Sequence, residues 1–146
     1  MKMFISILTA LLFLNCCSSS TDIHATKIAT RVVNQISDKS IRQQSIASLT
    51  SSFLESGSEC KYNDAVVDIT GEVVAYGLVD GGVYTITIRQ DEMDALCLFD
   101  ESISDQLGGG RLVSSGATIM IRGQCQSSGL FATHPFSLNG CKVISE

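Results

Sequence analysis

The sequence predicts a mainly β domain with five short strands behind two N-terminal helices. Three patterns indicate it: apolar residues recur at helical spacing up to Phe53, the period falls to two from Tyr62 onward, and turns rich in Gly and Asp separate the alternating stretches. The length of 146 residues suits one ordinary domain. A mean hydropathy of +0.26 and a single Pro exclude wholesale disorder.

Residues 1–15 have the layout of a signal peptide. Lys2 supplies the positive charge, and Met3 to Leu14 is a nearly unbroken apolar run. Those twelve residues would cover about 18 Å as a helix, well short of the ~30 Å hydrocarbon core of a bilayer. An export signal is therefore favoured over a membrane-spanning helix or a buried N-terminal helix.

The segment after this run resembles a bacterial lipoprotein signal. Cys16 and Cys17 come directly after the apolar run and are followed by Ser18, Ser19 and Ser20. In lipoproteins the cysteine is acylated, the preceding peptide is removed and the new amine is acylated too, and two or more acyl chains give stable anchoring. The resemblance implies lipidation at Cys16. Cys17 is the alternative, because Asn15 stands directly before Cys16, where strict signals have a small residue. It predicts a chain anchored in the cell envelope, facing the periplasm or the cell exterior; plain secretion is the alternative.

A serine-rich tether over residues 16–25 and a helical arm over residues 26–57 are expected next. The first helix has Thr26 as its N-cap and an apolar stripe of Ile28, Ala29, Val32, Val33 and Ile36. The second helix is expected to begin at Ser40, which has capping-box spacing to Gln43, and to end at Gly57. Its buried side is predicted to be Ile46, Leu49 and Phe53. Packing on the following domain is expected, since a membrane-surface helix would need a basic face.

Residues 60–146 are predicted to form the strand domain. The first strand turns Val67, Ile69, Gly71, Val73 and Ala75 inward. After the turn Asp80-Gly81-Gly82, further strands are expected around residues 84–88, 95–99, 119–123 and 136–144, with a bulge at Gly140. Residues 100–112 form an extra connection between the third and fourth strands. This order suggests an OB-fold, a small five-stranded Greek-key barrel, although periodicity alone also permits an open sheet or a sandwich.

Several short phrases of this region resemble the tRNA_anti-like OB domains, a bacterial family often found as lipoproteins. They are Lys61-Tyr62, Val67 to Val73, Cys97 to Phe99, Gly116 with Ile119 to Cys125, and Leu138 to Cys141. The similarity covers roughly residues 49–144. It implies the OB barrel behind a short helix, and it implies little about function.

Four of the six cysteines lie in the strand domain: Cys60, Cys97, Cys125 and Cys141. Export makes disulfides available. In an OB barrel the first strand starts near the end of the fourth, so Cys60 is expected near Cys125, and Cys97 near Cys141. We predict disulfides or buried thiols, the pairing being one of three. The intervals of 36, 27 and 15 residues between them contain no CxxC, which disfavours zinc, and no metal or other cofactor is predicted.

No catalytic signature is visible, and the chain is predicted not to be an enzyme. His134 is expected in a loop, and no Ser stands in a nucleophile-elbow phrase. The carboxylates flanking the third strand lack the alternate spacing of a calcium loop. A solvated acidic rim is the favoured interpretation of Asp91, Glu92, Asp94, Asp100, Glu101 and Asp105.

The charge balance disfavours nucleic acid as a partner. From Lys61 onward five basic residues stand against eleven acidic ones, whereas single-strand binders need a positive groove with stacking aromatics.

The predicted function is non-catalytic binding of a protein or a small extracytoplasmic ligand, with a nucleic-acid-binding OB module as the alternative. By fold analogy, the ligand would lie on the face of the second and third strands and on the loops after the first and fourth. The candidate residues are Tyr76, Tyr84, Arg89, Arg122, Phe131 and His134.

Overall fold

The computed structural model describes residues 23–79, 82–103, 114–129 and 132–145. Within these ranges two α-helices and a two-residue strand come before five longer strands. The helices are α1 (Ile23–Gln35) and α2 (Ile46–Ser56), and the strands are β1 (Arg42–Gln43), β2 (Val66–Val79), β3 (Val83–Gln90), β4 (Met93–Phe99), β5 (Thr118–Ser127) and β6 (Phe136–Ser145). Single 3-10 turns stand at Asp38–Ser40 and Gly57–Glu59.

The five longer strands close into a barrel because β2 is long enough to pair with two partners. Its first half pairs with β5 and its second half with β3, both antiparallel. β3 then pairs with β4, β4 runs parallel to β6, and β6 returns antiparallel to β5. This strand order is that of an OB-fold, so the predicted class, a mainly β barrel behind helices, is confirmed.

A bulge in β2 changes which side chains point inward. Val73 pairs with Ile88 while Ala75 pairs with Thr87, so Val74 is an extra residue on the β2 side. Beyond it the alternation is reversed: Ala75 is exposed, and Tyr76 takes the inner side opposite Ile86. The prediction that Ala75 faces the core was wrong, because a strict period of two does not register an inserted residue.

Helix α1 packs on the barrel strands β6 and β5. The described part of α1 runs from Ile23, so Thr26 lies inside the helix and the prediction that it is the N-cap was wrong. The Thr26 carbonyl accepts the Thr30 hydroxyl at 3.0 Å. Thr26, Ala29 and Val33 are buried, whereas Ile28 and Val32 of the predicted stripe stay exposed. The buried face of α1 is thus rotated around the helix axis relative to the predicted apolar stripe. The contact of the helix with β6 decides which face is buried.

Helix α2 begins later than the capping-box spacing predicts. The Ser45 hydroxyl, not that of Ser40, accepts the backbone N–H of Ser48, at 3.1 Å. Residues 42–43 instead pair in parallel with β2, and the N–H of Gln44 donates to the Asp68 carbonyl. Gly57 ends the helix as predicted, with φ +54°.

The core lies inside the barrel and under α2. Its largest fully buried side chains come from α1, α2 and all five barrel strands: Phe99, Phe136, Ile46, Leu49, Ile69, Ile86, Ile88, Ile119, Ile121, Leu138, Val33 and Val73. Neither described helix has the length and apolar character needed to cross a bilayer.

Candidate functional site

The outer face of β2, β3 and β4 is the surface on which fold analogy places a ligand. Its residues alternate with the core-facing Ile86, Ile88 and Cys97. They are only partly open to solvent, because Val83 is fully buried and Leu98 is 8% exposed. Two cross-strand rows consist of small or apolar side chains, Gly77 with Thr85 and Leu98, and Ala75 with Thr87 and Leu96. This part of the face therefore offers neither charge nor an aromatic ring.

Charged residues border that face at one end. Glu72, Arg89 and Asp94 form the next cross-strand row. Arg89 donates to both oxygens of Asp94, from Nε at 2.6 Å and from Nη2 at 3.0 Å. The hydrogen bond from Arg89 lowers the pKa of Asp94, against some desolvation, and His134 adds a smaller electrostatic lowering. Of the candidates, Arg89 is thus engaged directly by Asp94, whereas His134 acts on that carboxylate only through a weak electrostatic interaction.

Arg122 lies apart from them, in a buried ion-pair network. Its guanidinium donates to Asp68 from Nε and Nη2, at 2.7 and 2.9 Å, and from Nη1 to Asp38 in the turn after α1. The pKa of Arg122 is raised, chiefly by the hydrogen bond to Asp68, while burial opposes the rise and Asp38 adds to it. Only 7% of the residue is exposed. A ligand would have to displace a carboxylate to reach it.

The two candidate tyrosines lie at the tip of the β2–β3 hairpin. Tyr84 pairs with Leu78 on one side and with the fully buried Phe99 on the other, and Tyr76 is two residues before Leu78. Tyr76, Leu78 and Tyr84 lie on the same side of the sheet as the core-facing residues but beyond the end of the barrel, and Leu78 is 66% exposed there. The tyrosines are therefore on the opposite side of the sheet from Arg89. Phe131, Cys16 and Cys17 lie outside the described residues.

The four domain cysteines are buried free thiols in one hydrophobic cluster. Burial is the main reason that the pKa of Cys141 is raised, and the neighbouring Cys97 thiol adds to the rise. Burial also raises the pKa of Cys125 to about 12, with smaller contributions from Cys60 and Cys97. Among the described residues no cluster of His, Cys, Asp and Glu could hold a metal ion.

A groove that the sequence did not indicate lies between the end of α2 and the β5–β6 loop. Its volume is about 610 Å³, and its lining includes Phe53, Leu54, Glu55, Glu59, Ala132 and Pro135. Phe53 is buried and stacks on Phe136, with ring centroids 5.4 Å apart, whereas the adjacent Leu54 is 72% exposed. The one signal in the sequence was Leu54 itself, an apolar residue beside the predicted buried side of the helix.

A smaller depression of about 320 Å³ lies between α1 and the end of β4. The Lys27 ammonium and the Glu101 carboxylate in its lining form an ion pair at 2.7 Å. Asp100 accepts the N–H of Ser102 at 3.0 Å. Of these two contacts, the Lys27–Glu101 pair joins α1 to the segment after β4.

The chain matches no protein-family model and no curated protein. It is similar to the solved structure of a proposed nucleic acid-binding lipoprotein from Klebsiella pneumoniae, with 17% identity over 70% of this chain and 92% of that chain and a TM-score of 0.55. It is also similar to the aspartyl tRNA synthetase of Entamoeba histolytica, with 13% identity over 75% of this chain and 26% of that chain and a TM-score of 0.50. A proposed aspartyl-tRNA synthetase from Leishmania major gives 10% identity over 77% and 22% and a TM-score of 0.51. The chain thus spans about a quarter of each synthetase, and at these identities the shared property is the OB-fold.

Proposed function

We propose that the chain is a non-catalytic lipoprotein of the bacterial cell envelope whose OB domain binds a protein or a small extracytoplasmic ligand. The observation that carries the choice of ligand is the pairing of the barrel cations with carboxylates. Arg89 is held by Asp94, and Arg122 is held by Asp68 and Asp38. Since the chain also has a net charge of −5, a polyanion would gain little from this surface.

The outer face of β2, β3 and β4 is the proposed ligand surface. Its central rows carry no charge, and their half-buried Thr85, Thr87 and Leu96 suit apolar and hydrogen-bonding contacts with another protein or a neutral molecule. The Arg89–Asp94 pair and His134 would form the polar rim at one end. In this arrangement His134 serves binding, and no catalytic residue is proposed.

The lipid anchor is proposed at Cys16, with Cys17 as the alternative. The apolar run before Cys16 supports it, and so does the similarity in fold to a protein named as a lipoprotein. The resemblance to tRNA_anti-like domains fits the same fold. In the oxidising envelope, Cys97 with Cys141 and Cys60 with Cys125 are the proposed disulfide pairs.

Intact-mass analysis of the protein extracted from its native membrane tests this anchoring. The expected mass lacks residues 1–15 and carries acyl chains on the N-terminal cysteine. A mature chain that still begins at Met1 without lipid would contradict the proposal. The same spectrum, taken before and after reduction, would show a gain of about 2 Da for each disulfide.

Nucleic-acid binding is the second candidate, favoured by the name of the Klebsiella pneumoniae protein that shares the fold. Electrophoretic mobility shift with single-stranded DNA and RNA oligonucleotides over a salt series separates the candidates. We expect no shift at physiological salt. A shift that weakens steeply with salt, and weakens again in Tyr76→Ala or Tyr84→Ala through lost base stacking, would favour the second candidate.

A further inference from the structure

The groove between α2 and the β5–β6 loop has an apolar floor and an open rim. Phe53 forms part of the floor and is held in place by its stacking on Phe136. Ala132 and Pro135 add apolar surface from the loop, where the N–H of Ser128 donates to the Pro135 carbonyl at 3.2 Å. Leu54 stands on the rim with 72% of its surface exposed, far more than Phe53 beside it. Its volume of about 610 Å³ falls in the range of pockets that hold ligands.

The charged side chains among the described residues that line this groove are acidic. Glu55 comes from the last turn of α2 and Glu59 from the 3-10 turn that follows Gly57. The described residues that line the groove include these two carboxylates and no Lys, Arg or His. An apolar anchor flanked by positive charge would thus match the groove in both shape and potential.

We propose that this groove binds a basic segment of a partner protein, with an apolar side chain inserted beside Leu54 and with Lys or Arg side chains facing Glu55 and Glu59. The inference goes beyond the proposed function, because it adds a second site, away from the outer face of β2, β3 and β4, and names a protein as its partner. Exposed apolar residues next to a charged rim are the usual composition of such interfaces.

Fluorescence anisotropy of the full chain with a short labelled peptide of alternating Lys and Leu tests the proposal, with a Glu and Leu peptide as the probe control. We expect the basic peptide to bind and the acidic one to bind at least about tenfold more weakly. The double variant Glu55→Lys/Glu59→Lys should weaken the basic peptide about tenfold, and Leu54→Ser severalfold.

Matched substitutions elsewhere on the surface serve as controls. Asp91→Lys/Glu92→Lys makes the same charge change in the exposed β3–β4 turn, outside the groove, and Leu78→Ser removes another exposed leucine. Both should leave the peptide affinity within about twofold of the unchanged chain. Equal losses in these controls, equal binding of the acidic peptide, or no binding of the basic peptide would overturn the inference. None of those outcomes bears on ligand binding at the β3–β4 face, which Thr87→Arg would obstruct separately.

Discussion

Gly140 determines how closely helix α1 approaches the barrel. It has φ +62°, and a Cβ atom added there would lie 2.2 Å from the carbonyl carbon of Ala29 and 2.2 Å from the nitrogen of Thr30. The predicted bulge at Gly140 is confirmed, because the β5–β6 register shifts between Arg122 and Gln124. The sequence signalled the glycine as a break in a strand, whereas its contact with α1 depends on a helix more than a hundred residues earlier in the chain.

Gly140→Ala should lower the free energy of unfolding by about 3 kcal/mol, since it combines a left-handed backbone with a steric clash. Gly129→Ala is the matched control: its φ is +83° and no atom lies within 4 Å of the added Cβ. The control should lose only about 1 kcal/mol. Urea denaturation of both variants checks the difference, and equal losses would show that α1 does not sit against Gly140.

Helix α2 closes one end of the barrel. Ile46, Leu49 and Phe53 are buried, and the N–H of Ile46 donates to the side-chain oxygen of Gln90 at 2.8 Å, next to the β3–β4 turn. The helical spacing of these three residues predicted their burial correctly. The capping-box spacing predicted a start at Ser40, which is wrong, because residues 42–44 pair their backbone with the edge of β2 instead.

Phe53→Ala should destabilise the protein by about 4 kcal/mol, because it removes the ring that stacks on Phe136 and leaves a cavity. The neighbouring change Leu54→Ala should alter stability by less than about 0.5 kcal/mol, since that side chain is 72% exposed. Thermal and urea unfolding of the pair measure the contrast. A large loss in Leu54→Ala would mean that the groove is filled by the chain itself.

At the scale of the whole molecule, long-range contacts join the arm to the barrel. Arg122 reaches Asp38 across 84 positions and Asp68 across 54. The four thiols come from the segment before β2 and from β4, β5 and β6, and they meet in one core cluster. Stability at alkaline pH should therefore depend on keeping buried thiols protonated.

Fully reduced protein should lose stability as the pH rises. The Cys125 pKa is raised from 9.0 to about 12 on folding, so the unfolded chain loses its proton first. The contribution of the Cys125 thiol to the free energy of unfolding is complete below pH 9.0. It is lost progressively up to about pH 12, at about 1.4 kcal/mol per pH unit. Urea midpoints measured with a reductant over this range check it.

The variant Cys125→Ala is the control for that titration, because it removes one buried thiol and should make the decline shallower. Protein purified under oxidising conditions should show the same shallower decline if Cys125 is bridged to Cys60. An unchanged slope in Cys125→Ala would mean that this thiol ionises normally in the folded protein.

By itself the sequence determined the properties that depend on neighbouring residues. Helical spacing and strand alternation predicted the two helices, the five barrel strands and most of the core, since these patterns follow from the local backbone geometry of each element. The surroundings of the candidate binding residues were harder to predict, because they depend on partners elsewhere in the chain. Arg89 is engaged by Asp94 and Arg122 by Asp68 and Asp38, whereas the tyrosines lie on another side of the sheet.

Tertiary structure alone decided the remaining features. The bulge at Val74 reversed the faces of β2, α1 turned Ile28 and Val32 outward, and the end of α2 met Ser127, Gly129, Ala132 and Pro135 to form the groove. Each of these depends on how separate elements pack, and close packing selects one arrangement among several that the same local pattern permits. The composition argued against a polyanion partner from the start, whereas the location of the groove proposed to bind a protein needed the folded chain.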